Sequence, residues 1–488
     1  MKRREGIRMI QRQHARTAKI GVLGVGHSTY WSQFPGLLEH LMDFHEQFKN
    51  LLPSEGIELV DYGMIDSCQG AYHALEQMKG DRLDFVFCNM LTYATSSVFA
   101  PIIRDLGLPV VLVALQPRPA MDYSAASTFM QLENDNICSV PEFTGVAIRL
   151  GRRVEDVIIG ALGDAQAKKE LDSWCQIAKV LHGLKGARMG LMGHVLESMY
   201  DMHADPTAVS SAFGLHVPLL EPNQLMDCFQ SITEDRIQAR QQLILEEFDT
   251  PAPVSDPVTT RLTKQDLYLA AKASCALDDF VEQHSLTGLA YYYEGSPNSP
   301  EQAMISSLIT GNSILNARGI PICGEFDLKT CVAMLIMDRL GIGGSFAEFH
   351  PFDFQENFIL VGHDGPHHMA IADGKPVLRS LKKYHGKPGS GASVEFKIKE
   401  GPITMLSISQ NAQGGMKFVI GEGESVKGPI PPTGNTNTRG FFQPDVKTYM
   451  KQWVMAGPTH HFALGIGHHA QELERIAKIL NIESVVIR

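Results

Sequence analysis

Long apolar runs and basic runs are both missing from this sequence, and each absence excludes a class of protein. No apolar segment reaches the roughly 18 residues of a membrane span, and none follows the basic segment 1–18 as it would in a signal peptide. A nucleic-acid-binding surface needs clustered lysine and arginine, whereas this chain has no such cluster and a net charge of −11. We therefore expect a cytoplasmic protein that binds neither membranes nor nucleic acids.

Paired cysteines are absent as well. The 8 cysteines stand singly, with no C-x-x-C pair, and a chain of 488 residues can bury a core without disulfides. We interpret them as reduced, mostly buried thiols. The composition, with 44% hydrophobic and 20% charged residues, is that of an ordinary globular enzyme.

Length and strand pattern together predict three domains. A chain of 488 residues is too long for a single core. Its first two thirds alternate short apolar strands with amphipathic helices, which is typical of parallel sheets covered on both faces. After Gly344, strands and turns recur about every ten residues, which indicates an antiparallel barrel or sandwich. We predict an α/β protein with two doubly wound, Rossmann-like domains, 1–180 and 181–342, and a C-terminal antiparallel β-barrel or sandwich domain, 343–488.

Two glutamates follow consecutive predicted strands of the central domain. Glu294 comes after the strand 286–293, and Glu325 comes after the strand 320–323. Parallel strands end at one edge of a sheet, where α/β proteins bind their ligands. Neighbouring carboxylates repel each other, and a shared cation keeps both ionised. Each glutamate also has a purely structural interpretation, because an acidic residue at the start of a helix stabilises the helix dipole.

Histidines near these glutamates complete a candidate metal site. His350 follows the next predicted helix, and the pair His460 and His461 lies close to the C-terminus. Imidazoles combined with carboxylates suit Mn²⁺, Mg²⁺ or Co²⁺. The chain contains 19 histidines, His363 among them, and position alone does not choose between them.

Three motifs carry a family resemblance. They are YYYEG at 291–295, GEFDLKT at 324–330 and AGPTHHF at 456–462. The first is similar to a strand that ends in Glu and Gly in the L-arabinose isomerase family, which has the L-fucose/L-arabinose isomerase-like fold. The second and third resemble that family's G-E-G-D-x-K-T-A and A-G-G-x-H-H motifs, and all three occur in the family's order.

The resemblance implies roles for these residues. Glu294 and Glu325 would be both metal ligands and the acid–base pair, and His461 would be the C-terminal metal ligand. The third ligand is less direct, because the family's histidine aligns with Pro351. His350 is the candidate by proximity, and a neighbour such as His363 is the alternative.

Departures from the family pattern lie around the sugar. The first strand ends in GVGHST where the family has G-S-Q-H-L-Y, which makes His27 a candidate substrate contact, in the pocket of a partner subunit. A family phenylalanine aligns with Tyr93, and a family methionine falls near Leu196. A histidine that reaches the neighbouring subunit falls on Cys138. We expect His27, Tyr93, Leu196 and His460 to contact the substrate.

These inferences converge on an intramolecular oxidoreductase. We expect an aldose–ketose isomerase that acts on a pentose, hexose or deoxy sugar through an ene-diolate, with Mn²⁺, or else Co²⁺ or Mg²⁺, and without an organic cofactor. A metal-dependent sugar epimerase or lyase is the enzymatic alternative, since the same ene-diolate can be reprotonated elsewhere. A non-catalytic sugar-binding protein is the other alternative. The resemblance also implies a homotrimer or homohexamer.

Overall fold

Parallel sheets in the first part of the chain give way to an antiparallel barrel towards the C-terminus. The computed structural model describes residues 10–196, 199–252, 258–382, 389–431 and 436–488. These residues divide into two compact units, one formed by Arg16–His182 and the other by the rest. The predicted boundary at 342 falls inside the second unit, and the count of three domains stays a prediction. Within the described ranges, no helix combines the length and apolar character needed to cross a bilayer.

The unit Arg16–His182 is a doubly wound parallel sheet in the order β2-β1-β3-β4-β5. Its strands are β1 Ala18–Val25, β2 Ile57–Ile65, β3 Phe85–Met90, β4 Val110–Gln116 and β5 Asp156–Ala161. Its helices are α1 Thr29–Gln33, α2 Leu37–Leu51, α3 Cys68–Gly80, α4 Ala100–Asp105, α5 Thr128–Glu133, α6 Val140–Arg149 and α7 Ala165–Leu184. All residues of β3 are buried, because helices cover both faces of a sheet of this type.

The second unit begins with a smaller parallel sheet in the order β10-β9-β6-β7. Its strands are β6 Met189–Gly193, β7 Leu219–Leu220, β9 Gly288–Tyr292 and β10 Ile322–Cys323; the short strand β8 Thr259–Thr260 belongs to a separate sheet. The helices of this region are α8 Pro206–Phe213, α9 Pro222–Ser231, α10 Glu234–Glu247, α11 Lys264–Gln283, α12 Pro300–Ile305, α13 Ile309–Ala317 and α14 Leu328–Leu340. Strands β9 and β10 are parallel neighbours, as the sequence predicts.

Helix α14 is buried along its whole length, including the two charged side chains in its last turn. Its N-cap Asp327 accepts hydrogen bonds from the backbone and hydroxyl of Thr330, and it ends at Gly341, whose φ of 91° suits glycine. A helix that is apolar on nearly every face is stable only inside a core. It therefore gives the candidate site a fixed support.

The C-terminal region contains a closed antiparallel barrel of six strands. Its order is β15-β18-β11-β12-β17-β16, and β16 pairs back with β15 to close it. These strands are β11 Gly343–Asp353, β12 Phe358–Gly362, β15 Gly401–Gln410, β16 Met416–Val426, β17 Thr438–Phe441 and β18 Phe462–Ile466. Strands β13 Val377–Leu381 and β14 Gly391–Glu395 form a small sheet with β8. Helices α15 Val446–Met455 and α16 Ala470–Ile479 and strand β19 Glu483–Ile487, parallel to β16, complete the region.

The predicted fold class is confirmed in its coarse form, as parallel α/β sheets followed by an antiparallel barrel. Between β9 and β10, the chain forms two helices, α12 and α13, and not one continuous helix. Ser307 lies between them, and its hydroxyl donates to the carbonyl of Ala303. Serine side chains compete with the helix backbone in this way.

Candidate active site

Three neighbouring barrel strands bring a carboxylate and two imidazoles together. Glu348 in β11 lies opposite Gly362 of β12, so it is next to His363. On the other side of β11, Ala347 lies opposite Phe462 of β18, so His461 is next to Glu348 as well. The register of these ladders therefore fixes Glu348, His363 and His461 as a cluster, with ligand atoms within 4.8 Å of one another.

Glu325 reaches this cluster from the turn between β10 and α14. Its φ is 59° and that of Phe326 is 64°, so two consecutive non-glycine residues adopt the left-handed conformation. Such conformations cost about 1–3 kcal/mol each and concentrate at functional sites. One carboxylate oxygen of Glu325 lies 3.5 Å from Nε2 of His461, and the other lies 3.9 Å from Nε2 of His363.

His461 presents an unprotonated nitrogen to Glu325. Its Nδ1 donates to the N-cap carboxylate of Asp327 at 3.1 Å, and both side chains are fully buried. Burial lowers the pKa of His461 below its ordinary value, so the ring is neutral and Nε2 carries a lone pair. Nε2 has no hydrogen-bond partner among the described residues. A nitrogen lone pair that faces a carboxylate oxygen at 3.5 Å fits a bound cation.

His363 has a similar arrangement, in which Nδ1 has a hydrogen-bond partner and Nε2 faces a carboxylate. Its Nδ1 contacts the carbonyl of Asp364 at 2.7 Å, and its Nε2 lies 3.8 Å from a carboxylate oxygen of Glu348. Burial lowers the pKa of His363, but the carboxylates of Asp364, Glu325 and Glu348 outweigh burial and raise it to about 9. Without a cation, this site would hold a proton. Phe346 packs against both rings, with centroids 4.5 Å from His363 and 4.3 Å from His461.

Two carboxylates and two imidazoles therefore converge within a few ångströms. This donor set, Glu325, Glu348, His363 and His461, consists of oxygen and nitrogen atoms without thiolates, which suits Mn²⁺, Co²⁺ or Mg²⁺ and disfavours softer metals. The hydrogen bonds from each Nδ1 fix the tautomer that leaves Nε2 free, as is usual for metal-binding histidines.

Glu294 occupies a different place in the same pocket. It follows β9, and its carboxylate accepts a hydrogen bond from the hydroxyl of Tyr292. It lines a pocket together with Glu325 and His363, but in the described chain it belongs to neither group of potential metal ligands. The tyrosines and isoleucines of this cavity give it a partly apolar wall, formed by Tyr291, Tyr292, Tyr293, Ile305, Ile309, Phe346 and Pro366.

The other predicted residues of this unit lie at varying distances from the cluster. His350 is two residues beyond Glu348 in β11, and its Nε2 lies 3.9 Å from the Glu348 carboxylate. It is absent from the potential ligand groups of the described residues, so its role as metal ligand stays a prediction. His460 forms such a group with Glu325 and His461. Leu196 lies in the loop after β6, where its carbonyl accepts a hydrogen bond from the backbone of Met199.

Two predicted substrate residues belong to the unit Arg16–His182. His27 follows β1 and Tyr93 follows β3, which are the strands between which the sheet order reverses, and their rings lie 6.1 Å apart. Tyr30 packs against His27 at 5.1 Å. Ligands of doubly wound sheets bind at this point. Cys138 is exposed in the same unit.

Glu348, Asp327 and Asp201 are site residues that the sequence analysis missed. The available signal for Glu348 is the hairpin of β11 and β12, but counting outward from its turn places Phe349, and not Glu348, opposite Gly362. The bulge in β11 between Phe349 and Phe352 shifts that count by one residue. Asp327 lies in the GEFDLKT motif. An aspartate directly before a helix is interpreted as an N-cap before any role in the site is considered.

Comparison with known proteins is consistent with this arrangement. Residues 375–488 match the family model described as L-fucose isomerase, C-terminal domain. An L-arabinose isomerase of Nocardioides sp. is 23% identical over 88% of this chain and 82% of its own length. Those of Aeromonas hydrophila and Escherichia coli are 21% and 22% identical over 82% and 81% of this chain, and 79% of their own lengths. The chain is therefore similar, at low identity, to L-arabinose isomerases over most of its length.

Proposed function

We propose that this protein is a divalent-metal-dependent isomerase that interconverts an aldose and a ketose. The observation that carries the proposal is the unprotonated Nε2 of His461 facing the Glu325 carboxylate at 3.5 Å, with Glu348 and His363 beside them. The names of the relatives, L-arabinose isomerases, support the reaction class. Sequence departures around the predicted sugar contacts support a pentose, hexose or deoxy sugar other than arabinose.

Glu325, Glu348, His363 and His461 would hold the cation. A divalent ion supplies positive charge that stabilises the negative charge developing on two adjacent sugar oxygens. We propose Mn²⁺, with Co²⁺ or Mg²⁺ as substitutes, because carboxylate and imidazole ligands suit all three. We also propose a homotrimer or homohexamer, which rests on the family resemblance, and a cytoplasmic location, which rests on the sequence pattern.

Glu294 is the better placed of the two predicted acid–base glutamates to move the proton. Its carboxylate lies in the cavity outside the ligand groups, so it keeps its lone pairs for a proton when a cation is bound. It takes the proton from the carbon beside the carbonyl, which leaves an ene-diolate, and returns that proton to the former carbonyl carbon, while the hydroxyl hydrogen passes from the adjacent oxygen to the former carbonyl oxygen. Tyr292 orients the carboxylate through its hydroxyl. Glu325, the other predicted acid–base glutamate, would act on the same substrate atoms through the cation that it helps to hold.

A sugar screen tests this function. Purified protein is stripped with EDTA, reloaded with Mn²⁺ and incubated with pentoses, hexoses and deoxy sugars in deuterated water, and products are identified by NMR. We expect a ketose from at least one aldose, with deuterium at the carbon that receives the proton whenever the glutamate exchanges with solvent. Formation of an epimeric aldose or a cleaved product would favour the epimerase or lyase. Sugar binding without any product would favour the binding protein.

The matched variants are Glu294→Gln and Glu282→Gln. The first removes the proposed proton carrier, and the second removes an exposed glutamate of α11 outside the site. We expect turnover to be lost in the first variant and unchanged in the second, with equal Mn²⁺ binding in both. Turnover near the wild-type value in Glu294→Gln would overturn the assignment of this residue.

A further inference from the structure

Asp201 holds His460 at the edge of the candidate site. One oxygen of its carboxylate, Oδ2, contacts the backbone nitrogen of His460 at 2.9 Å and the ring nitrogen Nδ1 of the same residue at 2.6 Å. The main chain and the side chain of His460 are therefore tied to a single atom. Asp201 lies in the short 3₁₀ helix Tyr200–Met202, which is more than 250 positions away in sequence from His460.

The segment that carries Asp201 is itself fixed by helix α14. The Nζ of Lys329 donates to the carbonyls of Asp201 at 3.0 Å and of His203 at 2.9 Å. Lys329 is buried, with 1% of its surface exposed, and it lies two residues after Asp327, which orients His461. The first turn of α14 thus sets the positions of both members of the histidine pair, one directly and the other through Asp201.

This contact decides which nitrogen of His460 is available. A carboxylate accepts hydrogen bonds, so the bond to Asp201 places the ring hydrogen on Nδ1 and leaves Nε2 for the pocket. His460 packs against His461 with ring centroids 3.9 Å apart and ring planes tilted by 45°, and its ligand atom lies within 4.8 Å of those of Glu325 and His461. With Nδ1 bonded to Asp201, Nε2 is the ring nitrogen that remains for a ligand.

We propose that Asp201 is a positioning residue that fixes His460 so that its Nε2 binds a hydroxyl of the sugar. The proposal rests on the proposed function for the identity of the ligand. Asp201 and His460 are 39% and 36% exposed, and ion pairs this exposed contribute little to folding stability. An effect of Asp201 on the reaction can therefore be separated from an effect on the fold.

The kinetic test is a double-mutant cycle of Asp201→Ala and His460→Ala, measured on a sugar that the wild-type Mn²⁺ enzyme converts. We expect Asp201→Ala to lower kcat/KM by about 10- to 100-fold, chiefly through KM, as losses of such orienting contacts do. In the His460→Ala background the same change has no further effect. Asp201→Asn recovers part of the loss, because the backbone N–H of His460 keeps the amide oxygen at the position that accepts from Nδ1. Mn²⁺ affinity and melting temperature stay within the range of the wild type.

The control is Asp205→Asn, four residues along the same segment. Asp205 caps α8 by accepting from the backbone of Thr207, and asparagine keeps that cap while removing the charge. We expect wild-type kinetics from it. An unchanged kcat/KM in Asp201→Ala, an equal loss in the His460→Ala background, or an equal loss in Asp205→Asn would overturn the proposal.

A second measurement is independent of turnover. Long-range ¹H–¹⁵N spectra of histidine-labelled protein, loaded with diamagnetic Mg²⁺, report the tautomer of each ring. We expect His460, assigned by its loss in His460→Ala, to carry its hydrogen on Nδ1 in the wild type and to lose that preference in Asp201→Ala. An unchanged tautomer would overturn the positioning role. If no sugar is converted by the wild type, the proposed function fails, while this spectrum still decides whether Asp201 positions His460.

Discussion

Barrel strands and a loop supply the acidic residues of this site in different ways. Glu348 lies inside β11, which is hydrogen-bonded to β12 on one side and to β18 on the other. Glu294 lies in the loop after β9, and the contact that orients its carboxylate is the hydroxyl of Tyr292. A paired strand holds a ligand atom within tight limits, as cation binding requires. A loop carboxylate can shift between two carbon atoms of a substrate, as proton transfer requires.

The paired barrel strands form a rigid part of the site, which we call the framework. Helix α14 belongs to this framework as well. Its N-cap Asp327 orients His461, and near its other end the buried carboxylate of Asp338 accepts hydrogen bonds from Arg12 and contacts Nε2 of His368 at 3.1 Å. His368 ends the loop that begins with His363. His461 is thus tied to this buried helix directly, and the loop that carries His363 is tied to it at His368.

The largest expected difference in Mn²⁺ affinity is between the variants Glu348→Gln and Glu294→Gln. Removing Glu348 takes a charged ligand from the cation, so we expect Mn²⁺ affinity to fall by at least about 100-fold and turnover with it. Removing Glu294 should abolish turnover and leave Mn²⁺ affinity unchanged. Isothermal titration calorimetry with Mn²⁺ and an assay of ketose formation measure the two quantities.

Equal losses of Mn²⁺ affinity in both variants would erase the distinction between framework and loop. That result would restore Glu294 as a metal ligand, which is the role that the sequence resemblance implies. Full turnover in Glu348→Gln would instead remove Glu348 from the site. Circular dichroism melts of both variants establish that neither change acts through unfolding.

A smaller effect is expected from Asp327→Asn, which acts on the framework through His461. The carboxylate keeps the hydrogen of His461 on Nδ1, and an amide can turn its NH₂ group to that nitrogen and reverse the tautomer. We expect Mn²⁺ affinity to fall by about 10- to 100-fold. The matched control is Thr330→Val, which removes the hydroxyl contact to Asp327 without touching His461. A comparable loss of affinity in the control would show that the helix cap, and not the tautomer, is the cause.

Part of this site could be predicted from the sequence because local signals fix it. Apolar runs that end in Glu294 and Glu325 predict neighbouring parallel strands, and β9 and β10 are indeed neighbours. The aspartate–threonine spacing in GEFDLKT predicts the start of α14 at the position where the structure has it. These features depend on contacts within a few residues or on one crossover.

The ligands on the barrel could not be predicted in the same way. Glu348 and His363 are 15 positions apart and meet only through the register of a bulged hairpin, which turn counting gives with an error of one residue. In a strand, a one-residue error reverses the face on which a side chain lies. Asp201 and His460 are joined across 259 positions by packing alone. Proximity in sequence favoured His350 over His363 for the same reason.

The affinity for the cation should also depend on pH. The pKa of His363 is raised to about 9 by neighbouring carboxylates, so below that pH a cation must displace a proton from the ring. We expect Mn²⁺ affinity to rise by roughly tenfold per pH unit between about pH 6 and 8. Calorimetry in buffers of different ionisation enthalpy should show about one proton released per ion. An affinity that does not change over this range would place His363 outside the ligand set.

Tyr292→Phe is expected to have the smallest effect on turnover. It tests Glu294 in the loop alone. The hydroxyl of Tyr292 donates to Glu294, and burial together with the carboxylates of Glu294 and Glu325 raises the pKa of this tyrosine, so it stays protonated and can donate at every working pH. Loss of one hydrogen bond to a charged group is worth about 1.5 kcal/mol or more, which predicts a fall in kcat of roughly tenfold.

The control for this change is Tyr268→Phe, which removes a tyrosine–glutamate hydrogen bond of the same kind from the surface, where Tyr268 donates to Glu234. We expect normal kcat in the control and normal Mn²⁺ affinity in both variants, because neither tyrosine belongs to the ligand set. If Tyr292→Phe weakens Mn²⁺ binding as strongly as it slows turnover, Glu294 is coupled to the cation after all. The loop would then be part of the framework, and the proton would have to move through a carboxylate that also holds the metal.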